Sequence, residues 1–229
     1  MKKVLVVLTS ISKYASTNRA TGLWFGEAVH FAHEMQQAGY QVDYASPLGG
    51  YTPIDPHSLQ SDMMTEIDWK WYTNKNIMNQ FAQTKKLSDL KPEDYEVIYF
   101  AGGHGVVWDF LDDKDIKYLA ENIYKNGGIV SSVCHGAVAL INLKDLSTGE
   151  WLVKDKQVTG FSNSEEKEVQ LDHLVPYLTE DELVKHGAKY VKGDNWAPFA
   201  VTDGRLVTGQ NPASGKQVAQ QVLQVLNNK

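Results

Sequence analysis

The chain has 229 residues, of which 42% are hydrophobic and 22% charged, the usage of an ordinary globular protein, which excludes a disordered or collagen-like chain. A domain of this size buries about 70–75% of its unfolded surface and needs no covalent staple; the lone Cys134 can form no internal disulfide and build no thiolate metal cage. A net charge of −6 argues against nucleic acid or an anionic membrane surface as partner, since both are held by Lys and Arg displacing counterions.

The opening MKKVLVVLTS joins a basic start to a short apolar run, but polar SKYASTNRA follows where a cleaved signal carries small residues. Lys3 to Thr9 therefore reads as a strand buried on both faces. No apolar stretch approaches the ~20 residues of a membrane-spanning helix, so a soluble protein of a reducing, cytoplasmic compartment is expected. Gly22 to Ala38 places Leu23, Ala28, Phe31, Ala32 and Met35 at helical spacing and stops at Gly39, and Tyr40 to Ser46 alternates as a second strand. Residues 51 to about 92 are polar and irregular, with Trp69, Trp71 and a helix near Ile77 to Lys85, and read as an insertion.

Tyr95 to Phe100 is a strand running into Ala101-Gly102-Gly103-His104-Gly105, and Asp113 to Asn126 an amphipathic helix closed by Gly127-Gly128. Ile129 to Val133 is a strand that breaks at Cys134-His135-Gly136 into a helix over Ala137 to Asn142. Trp151 to Phe161 suggests short strands, and Glu165 to Leu178 and Glu180 to His186 suggest helices. A hairpin of Phe199 to Thr202 with Arg205 to Thr208 precedes a last helix, Ala213 to Leu226. Strands alternating with helices predict one α/β domain over residues 1–229, its mainly parallel sheet covered on both faces.

In such sheets ligands sit beyond the carboxyl ends of the strands, so the strand-to-helix junctions carry the chemistry. A cysteine at such a turn feels a helix end and unpaired N–H groups that favour a thiolate nucleophile; Cys134 also fits a buried structural thiol, since free cysteine packs as a small hydrophobe. His135 adjoins it, and on pattern alone is either functional or a hydrogen-bonded structural histidine. The Gly102 to Gly105 turn lacks the third glycine of a dinucleotide fingerprint and has no Gly-Lys-Ser/Thr; it suits close backbone approach to a ligand oxygen, or a plain tight turn. His30, His33 and Glu34 share a helix at ligand spacing in the order H-x-x-H-E, with a helix surface as the default and no metal expected.

The strings TGLWFGEAVH, YFAGGHGVVWD, GGIVSSVCHGAVAL, VTGFSNSEE and DGRLVTGQNPAS, in this order over nearly the whole chain, resemble the DJ/PfpI superfamily, within it the branch of stress chaperones and glutathione-independent glyoxalases. The resemblance implies a flavodoxin-like three-layer sandwich with Cys134 as nucleophile at an elbow and His135 beside it. It also implies a protonated Glu27 against the sulfur and a third acid assigned to Glu166, with neighbouring Glu165 as the other choice. Gly103, His104 and the His135 N–H fall at oxyanion or substrate positions. Many relatives carry proline where this chain has Ala137, a change of turn rigidity more than of chemistry.

The activity so implied is a cofactor-free conversion of methylglyoxal and similar 2-oxoaldehydes to D-lactate and other 2-hydroxy acids. Cys134 forms a hemithioacetal, and His135 or Glu27 moves a proton through an enediol. Deglycation of early aldehyde adducts would use the same thiolate. The rival readings are a cysteine peptidase or amidase, a holding chaperone binding unfolded clients, and a redox sensor oxidised at Cys134. A homodimer is implied by the family, with the insertion at 51–92 as lid or interface.

Overall fold

In the computed structural model, which describes residues 3–228, the N-terminal Val/Leu run is β1 (Lys3–Val7), followed by α1 (Phe25–Gln37) and β2 (Gln41–Ser46). Next come α2 (Glu66–Tyr72), α3 (Lys75–Ala82), β3 (Lys85–Lys86), β4 (Val97–Phe100), α4 (Lys114–Lys125) and β5 (Ile129–Val133). The C-terminal part holds β6 (Gln157–Val158), α5 (Asn163–Glu168), α6 (Thr179–Lys185), β7 (Lys189–Tyr190), β8 (Ala200–Asp203), β9 (Leu206–Gly209) and α7 (Gly215–Asn227).

Seven strands form one sheet in the order β3-β2-β1-β4-β5-β9-β8, parallel throughout except where β8 runs against β9. Alternate β1 side chains face opposite layers. Val4 and Val6 pack with Phe31, Met35, Val218 and Val222 of α1 and α7, whereas Leu5 and Val7 pack with Ile116, Leu119 and Ile123 of α4. Both faces of the sheet are thus covered, which is why β1 is apolar without alternation from Val4 to Val7, while β5 buries Ser131 and Ser132 among its apolar residues. The three-layer α/β sandwich expected from the alternation is the fold observed. The chain leaves β1 for β2 on one side and returns to β4 on the other, so the connections diverge above β1 and β4 and leave a crevice at their carboxyl ends.

Several boundaries differ from the sequence reading. The segment 51–92 is not irregular, since it contains α2, started by a capping box between Thr65 and Asp68, and α3. Lys85, expected at a helix end, instead forms β3 with Lys86 against Ala45 and Ser46. The helix expected over Glu165 to Leu178 ends at Glu168, because Gln170 takes φ +58° and turns the chain. Within Trp151 to Phe161 only Gln157–Val158 is a strand, paired with β7 outside the main sheet. The run after β5 is a buried 3-10 segment, Cys134–Leu140, rather than an α-helix; the Ile141 N–H bonds the Val138 carbonyl three residues back.

Candidate functional site

β4 and β5 are paired as far as Phe100↔Ser132, so the turns that follow them, Gly102-Gly103-His104 and Cys134-His135-Gly136, leave the sheet side by side. Cys134 adopts φ +57°, a left-handed conformation that costs a non-glycine residue about 1–2 kcal/mol. Neighbours hold it there. Phe161 N–H donates to the Cys134 carbonyl at 3.1 Å. Gly136 crosses the end of β4 so closely that a Cβ would sit 2.2 Å from the Phe100 carbonyl oxygen. The bend presents the sulfur above the sheet while leaving it 3% exposed.

Glu27 enters from the first turn of α1 and is fully buried. Its Oε2 accepts the Gly102 N–H at 2.7 Å, buried Oε1 has no hydrogen-bond partner among the described residues, and the carboxyl group interacts with the Cys134 sulfur. Burial pushes the carboxyl up from 4.5 to about 8, against the opposing pull of its bonds with Cys134 and Gly102, so at neutral pH it holds its proton. The Cys134 thiol is also pushed up, first by burial and then by the charge Glu27 carries when ionised; the His135 N–H acts the other way. A 3-10 run and not an α-helix follows Cys134, so the helix end expected to favour a thiolate is not what the structure places there. With Glu27 protonated its repulsion is absent and its O–H becomes a donor toward the sulfur.

His135 is buried with both ring nitrogens engaged. Nδ1 lies 3.4 Å from Cys134 Sγ and Nε2 lies 2.6 Å from Glu166 Oε2. The second oxygen of Glu166, Oε1, receives His104 Nε2 at 2.7 Å, and the two imidazole centroids are 4.1 Å apart. One carboxylate therefore orients two histidines. Burial alone would raise Glu166, but the charge of His135 and the bonds from His104 and His135 prevail and hold it well below the ordinary carboxylate range. Burial and the neighbouring His135 push His104 below the ordinary imidazole value.

The choice between adjacent acids is settled by geometry. Glu165 Oε2 closes a capping box on Ser162, and Oε1 accepts the Trp196 N–H and the Asn211 side-chain amide, each at 2.9 Å. Glu165 holds the loop; Glu166 faces the histidines.

A cavity of about 200 Å³ opens above Cys134, lined by Gly103, His104 and His135 and walled by Tyr14, Trp24, Phe161 and Trp196. Segment 51–92 contributes Asp55, His57, Gln60 and Met63 to it. All the site residues expected from sequence converge here, four lining the cavity and Glu27 and Glu166 standing behind them. Tyr14 and His57 were not anticipated. They sit in polar connecting segments without periodicity, and only the fold brings the Tyr14 ring to 5.6 Å from that of His104.

Among the described residues, His104, His135 and Glu166 form the one group whose ligand atoms, within 4.8 Å of one another, could hold a metal. Both Nε2 atoms already meet Glu166 at hydrogen-bond distance, so proton-mediated contacts account for the arrangement. His30, His33 and Glu34 do not converge, since His30 bonds Asp68 at 3.1 Å, His33 rests edge-on near Trp71 and Glu34 faces Lys216. Among the described residues no helix is long and apolar enough to cross a membrane.

Residues 26–225 match the model of the DJ-1/PfpI family. The chain is 36% identical to glyoxalase 3 of Candida albicans, with 97% of this chain and 98% of that protein covered. It is 34% identical to the glutathione-independent glyoxalase HSP31 of Saccharomyces cerevisiae, with 99% of each covered. The crystal structure of the Rapid Encystment Protein 24 kDa of Francisella tularensis superposes with a TM-score of 0.94 at 38% identity, covering 99% of each chain. With its fold, its elbow cysteine and its full-length likeness to these proteins, this chain belongs to the DJ-1/PfpI family.

Proposed function

We propose that the protein is a glutathione-independent glyoxalase that converts methylglyoxal and related 2-oxoaldehydes to D-lactate and other 2-hydroxy acids. The observation that carries this reading is the chain of contacts from Cys134 Sγ to His135 Nδ1 at 3.4 Å and from His135 Nε2 to Glu166 at 2.6 Å, beside a cavity of about 200 Å³ that Cys134 and His135 line. That volume lies below the ~300–1,000 Å³ of pockets for drug-sized ligands and suits a substrate of a few heavy atoms better than a peptide. The full-length similarity to two proteins named as glyoxalases supports it.

In this mechanism His135, oriented by Glu166, takes the Cys134 proton as the sulfur adds to the aldehyde carbon, giving a hemithioacetal. Protonated Glu27 steadies the sulfur, and backbone N–H groups of Gly103 and His135 face the oxygen. A proton then moves from the aldehyde carbon to the adjacent carbon through an enediol, leaving a Cys134 thioester that water cleaves. Electrons are only redistributed within the substrate, so the reaction needs no redox cofactor.

A homodimer and a lid role for segment 51–92 belong to the same reading, supported by exposed Trp69 and Tyr72 on α2 and by the cavity residues that the segment supplies. A reducing cytoplasm would keep Cys134 as the thiol. Incubation with methylglyoxal without glutathione, followed by chiral analysis, tests the activity. Wild type is expected to release D-lactate and Cys134→Ala none; equal turnover by the two would falsify the mechanism.

A further inference from the structure

Glu27, His135 and His104 stand beside Cys134 and are chemically able to carry a proton between neighbouring substrate carbons, and two of them are committed elsewhere; His57, also in the cavity wall, has its Nδ1 on Asp55 at 3.1 Å. Glu27 is neutral and fully buried, with Oε2 on the Gly102 N–H and its carboxyl group against the Cys134 sulfur. His135 has Nδ1 at the Cys134 sulfur and Nε2 on Glu166. His104 differs. Its Nε2 meets Glu166 at 2.7 Å, which fixes the proton on that nitrogen and leaves Nδ1 as a lone pair. Nδ1 has no hydrogen-bond partner among the described residues, and the ring lines the cavity that holds Cys134.

The ring's orientation is fixed from three sides. Glu166 holds one edge, the His135 ring packs at 4.1 Å, and the Tyr14 ring packs at 5.6 Å. Burial and the His135 charge favour the neutral imidazole, the form that accepts a proton. Glu166 then faces the imidazolium as that charge develops.

We propose that His104 is the catalytic base that transfers the proton between the two substrate carbons, while His135 serves the sulfur. This rests on the glyoxalase reading. In the hemithioacetal, His104 Nδ1 takes the hydrogen of the carbon bonded to sulfur. The released C–H pair forms the double bond to the adjacent carbon, whose carbonyl pair moves onto oxygen. The imidazolium returns the proton to that adjacent carbon. The hydroxyl proton on the first carbon passes to the second oxygen as the first carbonyl forms. The product is a 2-hydroxy thioester of Cys134, an isomer of the hemithioacetal, and one water releases the acid and restores the thiol.

The test compares wild type, His104→Gln and His104→Ala, using methylglyoxal as substrate and iodoacetamide as an independent probe of Cys134. His104→Gln is expected to lower kcat for D-lactate by about 10²–10⁴-fold, while the alkylation rate of Cys134 stays within a few-fold. Added imidazole is expected to restore part of the turnover of His104→Ala, through the space the missing ring leaves. Retention of kcat within a few-fold in both variants overturns the proposal, and so does alkylation that falls in parallel with turnover, which would make His104 a support of the thiol. Wild type that alkylates normally but forms no D-lactate sinks the glyoxalase reading itself, and the base assignment with it, before any variant is compared.

Discussion

The Tyr99 hydroxyl donates to the Glu27 backbone carbonyl at 2.9 Å, tying the middle of β4 to the first turn of α1. The Tyr99 ring lies flat on Phe31 of the same helix, with centroids 3.6 Å apart. A strand side chain thereby sets the depth at which α1 delivers the Glu27 carboxyl to Cys134. Tyr99→Phe keeps the stacking and removes one buried bond, so urea unfolding should show a loss of about 0.5–1.5 kcal/mol. An unchanged unfolding midpoint and slope would show that this contact does not position the helix.

Cys134 sits at φ +57°, where the usual order of alanine over glycine reverses. Neither Cys134→Ala nor Cys134→Gly should turn over substrate, but the glycine variant should be the more stable by about 1 kcal/mol, because it alone is free of the left-handed strain. Calorimetry on the two variants reads the difference directly. A higher melting temperature for alanine would mean that the bend is not held in the folded protein.

The two adjacent acids should separate function from stability. Glu166→Gln leaves His135 and His104 competing for one amide oxygen, with the amide NH₂ turned toward the other ring. Turnover should fall by at least about 10²-fold, the loss expected when a general base is no longer oriented. Glu165→Ala instead removes the acceptor of the Ser162 cap and of the Trp196 and Asn211 donors, so its main effect should be a loss of a few kcal/mol of stability, of the order seen when buried donors lose their partner. Parallel melting curves and kinetics would refute the division of labour if the two variants showed the same profile.

Glu27 also predicts a dependence of stability on pH. Its folded pKa, about 8, lies above its ordinary value of 4.5, so the folded state binds the proton more tightly. Its contribution to stability is complete below about pH 4.5, declines as pH rises, and is lost above about pH 8. Glu166 has the opposite sign, because its depressed pKa stabilises the fold above the ordinary carboxylate range and is lost on acidification. Glu27→Gln should therefore flatten the fall in stability between pH 5 and 8 without changing the acid limb. Denaturation midpoints that keep the wild-type slope over that interval would show that Glu27 does not hold its proton in the fold.

The sequence by itself determined the layers and the junctions. Apolar runs with period 2 or 3.6 report which face of a segment is buried, and turn residues report where one segment stops, so the parallel sheet and the positions of Cys134, His135 and Gly103 at strand ends were all readable. Glu27 and Glu166 came from family resemblance, since a lone glutamate on a helix or in an acidic pair carries no periodic signal. The tertiary structure alone decided which of Glu165 and Glu166 meets the histidines, that a 3-10 run and not an α-helix follows the thiol, and that Tyr14 and His57 line the cavity. It also decided which imidazole nitrogen is left open, on His104 and not on His135. Each of these depends on distances between segments far apart in the chain and on the water they exclude, and periodicity records only how one segment faces the core.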